Sequence, residues 1–96
     1  MERLLEMSKF LSPDDVVEYA SATPLFLVFE DGHVQNIEKA IDLRWAALKL
    51  QEAKQKVRVG VIVDNVTRLS KPISGVKLQY IWYKIFWKGK WFDDGP

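Results

Sequence analysis

The sequence predicts an α+β fold: a two-layer domain with a mixed β-sheet of three to five strands, one long helix on one face and a shorter N-terminal helix. Three features predict it. Ser12-Pro13-Asp14-Asp15 has the composition of a helix start, Leu25–Phe29 and Val57–Val63 read as strands, and a long apolar-periodic stretch lies between the two. At 96 residues the chain suits a single α+β domain spanning 1–96, because domains cluster around ~100–150 residues. Its 48% apolar and 28% charged residues argue against disorder.

Each element has a local cause. Ser12 can cap the first free amides of a helix, Pro13 suits its first position, and Asp14 and Asp15 complement the positive end. Leu11 and Val16 are placed for a hydrophobic staple. The helix is expected from Pro13 to about Ser21, stopping before Thr23-Pro24. Upstream, Leu4, Met7 and Leu11 are spaced for one side of another short helix. Leu25–Phe29 is bounded by Pro24 and the turn pair Asp31-Gly32, which can fold a hairpin with His33–Asn36 or lead into the next helix.

The long helix is expected over Asn36–Gln55. At about 100° per residue, Ile37, Ile41, Trp45 and Leu48 form one apolar stripe, and Leu43, Ala46, Ala47 and Leu50 a second. A surface helix needs one stripe, so two imply covering from two sides, by a sheet and by the N-terminal helix or a second subunit. Val57–Val63 is β-branched and ends at Asp64-Asn65. Strand, helix and strand make one unit, with a right-handed crossover if the strands are parallel. Thr67–Gly75 reads as a loop. Val76–Lys88 reads as a long strand that turns at Lys88-Gly89-Lys90 into a short Trp91-Phe92 strand.

Composition narrows the chemistry. The absence of cysteine excludes a disulfide scaffold, a thiolate zinc site and a cysteine nucleophile, and the single histidine excludes a multi-histidine metal site within one chain. There is no phosphate-cradling glycine loop and no Gly-x-Ser-x-Gly elbow. Ser74-Gly75-Val76-Lys77 matches Ser-x-x-Lys, but without its supporting motifs chance is the better account. No cofactor is implied, and an enzyme is not expected. The longest apolar run, Leu25–Phe29, is far shorter than a signal core or the ~20 residues of a membrane span, so a cytoplasmic protein without membrane contact is the expectation.

Charge and aromatics concentrate late in the chain. Residues 1–56 carry 7 Lys/Arg and 10 Asp/Glu, whereas residues 57–96 carry 7 Lys/Arg and 3 Asp. No acid lies between Val66 and Phe92, and the end of that stretch holds seven of the twelve aromatic residues. On a strand, Tyr80, Trp82 and Lys84 would share one face, Tyr83 and Trp87 the other, and one small domain cannot cover both. Tryptophan and tyrosine dominate protein interfaces. The expected function is therefore a small non-enzymatic protein-binding module, self-associating into a homodimer or binding another protein. Its binding residues would be Tyr80, Trp82, Tyr83, Lys84, Trp87, Lys88, Lys90 and Trp91.

Two alternatives remain in the sequence. Rings stack bases and lysines attract phosphates, so the same surface suits single-stranded nucleic acid, with Tyr80, Trp82 and Trp87 stacking and Lys84, Lys88 and Lys90 on phosphates. Glu30, Asp31 and Asp64 each follow a predicted strand. If they converged they could hold Mg²⁺ for a hydrolase or nuclease, with His33 beside them as a conceivable general base. Turn residues of this kind are far more often only turn residues.

Overall fold

The computed structural model describes residues 10–20 and 24–88, with side chains as far as Ile85. The described residues form an α+β arrangement of three helices on a five-stranded sheet. In chain order the elements are α1 (Pro13–Ala20), β1 (Leu25–Phe29), β2 (Val34–Ile37), α2 (Ala40–Ala53), β3 (Lys56–Val63), β4 (Val66–Leu69), β5 (Ile73–Ser74) and α3 (Gly75–Lys88). The sheet runs β2-β1-β3-β4, with β5 also beside β3. All of these strand pairings are antiparallel, and among the described residues the one parallel contact is an isolated bridge between Leu11 and Ser70.

The helix starts follow their capping chemistry. The Asp15 amide donates to Ser12 Oγ and the Ser12 amide donates to Asp15 Oδ2, each at 3.2 Å, which is a reciprocal capping box with Pro13 just inside it. At the head of α2 the Asp42 carboxylate accepts the amides of Glu38 and Lys39. At its end Lys54 adopts φ 54°, and the Gln55 amide reaches back to the Leu50 carbonyl at 3.0 Å, closing the helix with a left-handed residue. Ser74 caps α3 by accepting the Lys77 amide at 3.3 Å.

One sheet face builds the core. Leu25 lies opposite Val61, Leu27 opposite Val59 and Phe29 opposite Val57, so alternation sends this set to the helices. Val16, Leu43, Ala47, Leu50, Leu78 and Ile81 meet it from the helical layer and are fully or almost fully buried. The other face carries Phe26, whose ring lies over Gly60. A β-carbon at Gly60 would sit 2.2 Å from that ring, so the close contact requires glycine.

The sheet differs from expectation in connectivity. Residues 67–75, expected as a loop, hold β4 and β5, which occupy successive parts of the same flank of β3. Between them Ser70 carries the pairing across the gap. Its amide donates to the Val59 carbonyl at 2.8 Å, its hydroxyl accepts the Val59 amide at 2.9 Å, and that hydroxyl donates to the Lys71 carbonyl. Ser70 is 2% exposed, and its hydroxyl's polar capacity is used in place. β4 follows β3 through Asp64 and Asn65, at φ 53° and 64°, as a two-residue hairpin demands.

Two helical expectations change. The long helix begins at Ala40, not Asn36, because Asn36 and Ile37 pair with Phe26 and Leu25 in β2. The hairpin at Asp31-Gly32 does form, with Gly32 at φ 96°. The larger correction concerns Val76–Lys88, which is not a strand but almost all of α3. Leu78, Ile81, Trp82 and Ile85 follow the i, i+3, i+4, i+7 spacing of one helix face, with Leu78, Ile81 and Ile85 buried and Trp82 half-buried against the core. The expected Lys88-Gly89-Lys90 turn, the Trp91-Phe92 strand and most of the upstream helix lie outside the described residues.

Candidate protein-binding surface

α3 packs antiparallel to α2. Its first residue, Gly75, lies against the Ala47 carbonyl and Gln51 near the end of α2, while Trp82, two turns later, lies beneath the Arg44 guanidinium at 5.2 Å. On its other flank α3 meets α1. The Tyr80 hydroxyl donates to Asp14 Oδ1 at 3.0 Å and Lys84 Nζ donates to the same oxygen at 3.4 Å. The hydrogen bond with Tyr80 and then the Asp14 carboxylate raise the Lys84 pKa above the ordinary lysine value. The helices therefore lie side by side in the order α2, α3, α1.

With Leu78, Ile81 and Ile85 turned inward, the opposite side of α3 presents Val76, Tyr80 and Tyr83 at i, i+4 and i+7. They are 67%, 39% and 55% exposed. Lys77 and Lys84 flank the middle ring, with ammonium groups 5.8 and 5.3 Å from the Tyr80 centroid. α3 contains no acid. On α2, Trp45 and Ile41 are also open, 59% and 40% exposed. Of the two apolar stripes read in that helix, the one with Leu43, Ala46, Ala47 and Leu50 is buried and the one with Ile41 and Trp45 is open.

The sequence-derived binding residues thus separate. Tyr80, Tyr83 and Lys84 reach one outer helical surface, whereas Trp82 turns to the α2 interface. Trp87 and Lys88 fall on the last turn of α3. Lys90 and Trp91 lie outside the described residues. Val76 was missed because strand alternation placed it with Leu78 and Trp82, which are not on its side of a helix. The helical spacing Leu78, Ile81, Trp82, Ile85 and the cap at Ser74 were the signals that could have found the surface.

The carboxylates of the metal alternative do not converge. β1 and β3 are antiparallel, so Glu30 and Asp31 follow Phe29 beside the start of β3, while Asp64 stands at its far end. Eight strand residues separate the two ends, roughly 25 Å. No cluster of three metal-ligating side chains occurs among the described residues. Glu30 accepts the Lys56 amide, and Asp31 accepts both the His33 amide at 3.0 Å and the His33 ring at 2.6 Å. The His33 ring also stacks on Phe29 at 4.2 Å. The amide donation and then the ring contact lower the Asp31 pKa from the usual carboxylate value. This pairing orders a turn.

Other surfaces lie among the described residues. The sheet face away from the helices exposes Phe10, with Arg58 and Lys71 over its ring at 5.5 and 5.8 Å, and also Val34 and Ile62. A cleft of about 390 Å³ lies between the end of α2 and the start of α3, lined by Leu50, Gln51, Lys54 and Val76 among others. A second, of about 270 Å³, lies among Val28, Glu30, Lys56, Arg58 and Pro72. No described helix is long and apolar enough to cross a membrane. No protein-family model, curated protein or solved structure matches this chain.

Proposed function

We propose that the chain is a protein-binding module that docks a partner on the outer face of α3. The observation that carries this reading is the exposed Val76, Tyr80, Tyr83 row with Lys77 and Lys84 beside it on an acid-free helix. Tyrosine supplies broad contact area at small entropic cost, and such rings anchor interfaces. The lysines select a partner segment that is apolar along one side and acidic at its margins, since like charge across an interface is repelled.

Single-stranded nucleic acid is the second reading, favoured by the same lysine-flanked ring of Tyr80. Affinity capture with the wild type and a Val76→Ser/Tyr83→Ser variant separates the two. Polypeptides retained by the wild type and lost by the variant support the protein-binding reading. Equal retention by both, or fluorescence quenching by an oligonucleotide that weakens steeply with salt, overturns it.

A further inference from the structure

We propose that two copies of this chain associate by pairing their β2 strands across a two-fold axis, extending the sheet through both molecules. This goes beyond the reading of the α3 face and uses a different surface, so either can fail alone.

Among the described residues β2 is an edge of the sheet. The opposite side differs, because the Leu11 amide bonds the Leu69 carbonyl there. Edges are usually protected by lysine, proline or a bulge. Val34-Gln35-Asn36-Ile37 contains no charge and no proline. Its hydrogen-bond phase follows from the turn. The Phe29 amide donates to the His33 carbonyl, so His33, Gln35 and Ile37 direct their backbone groups to β1. Val34 and Asn36 therefore direct theirs outward. Two such strands satisfy all four outward groups in one antiparallel register, with Val34 opposite Asn36 of the other copy in both directions. Gln35 then stands on the axis opposite its own copy.

The charges of α2 match the same axis. Arg44, Ala47 and Gln51 mark the flank of α2 that faces α3. At about 100° per residue, Asp42 and Lys49 lie together on the opposite flank, with exposed Trp45 between them. α2 contacts β2, whereas α1, on the far side of α3, contacts β3, so that flank is the one toward β2. A two-fold sets Asp42 against the second copy's Lys49, and Lys49 against its Asp42. Their midpoint is about 8 Å along α2 from Ala40, and Gln35 is about 7 Å along β2 from Ile37, so one axis serves both layers. The formal net charge of +1 opposes such a pairing little.

Sedimentation of the full chain over a micromolar concentration series tests this. The wild type should be dimeric. Asn36→Pro removes an outward amide on an edge strand, where proline is tolerated, and Lys49→Glu sets like charges across the axis. Each should weaken the dimer about tenfold or more with an unchanged circular dichroism spectrum. A monomeric wild type overturns the proposal while leaving the α3 surface to its own test. A dimer that Lys49→Glu leaves unweakened also overturns it, even if Asn36→Pro fails to fold, and places self-association on another face.

Discussion

Gly75→Ala is the sharpest test of how α3 is seated. A β-carbon there would lie 2.5 Å from the Ala47 carbonyl oxygen, 2.6 Å from Gln51 Cγ and 2.9 Å from the Gln51 amide. Two of these are backbone atoms of α2, so neither can swing aside. Ordinary contact needs about 3.5 Å, and restoring it moves the start of α3 from α2 by about 1 Å. That shift loosens the core the two helices share, in which Leu78, Ala47 and Leu50 are all buried. Overpacking of this kind costs about 1–3 kcal/mol, and the better helix propensity of alanine returns up to about 1. The net loss of about 1–2 kcal/mol should lower Tm by roughly 5–15 °C in a domain this small. Thermal unfolding followed by circular dichroism reads it, with Val76→Ala as an exposed control expected within about 0.5 kcal/mol of the wild type. A Gly75→Ala protein that melts at or above the wild-type temperature refutes the close approach.

Ser70→Ala should destabilise by about 1–3 kcal/mol in urea denaturation, because it leaves the Val59 amide buried without its acceptor; an unchanged midpoint would show that the hydroxyl is dispensable. Asp31 should titrate below its ordinary value in carboxyl carbon NMR, since the His33 amide and ring favour its charged form. Its contribution to stability is then complete above about pH 4 and disappears as pH falls through the lowered value. A midpoint at or above the ordinary value contradicts the turn geometry.

Elements with local causes were legible in the sequence. α1 announces itself through Ser12, Pro13 and Asp15, which act within four residues of one another, and the β1–β2 hairpin through Asp31-Gly32. The start of α2 was not, because Ile37 continues the spacing of Ile41 and Trp45 although it belongs to a strand. Pairing with β1 is a long-range fact that periodicity does not carry. α3 was misread for a different reason. Its valine, isoleucines and aromatic residues favour strands, and that preference was allowed to outweigh length: 13 uninterrupted residues from Val76 to Lys88 exceed an ordinary strand of about 5–6. Of the candidate surface, the sequence shows an aromatic, acid-free segment, and Tyr80, Tyr83 and Lys84 of that segment reach the outside of α3. Which rings reach the exterior depended on the helix, and Trp82 accordingly went inward.

β3 has a consequence for how the molecule comes apart. It bonds β1 along one side and β4, Ser70 and β5 in succession along the other, so it shares a ladder with every strand but β2. Partial opening that frees β2 can leave this spine whole, whereas releasing the spine dismantles nearly all the sheet at once. Backbone protons at Val59 and Val61 should accordingly be among the last traded with deuterated solvent, keeping pace with global unfolding, while those of the rim are surrendered early.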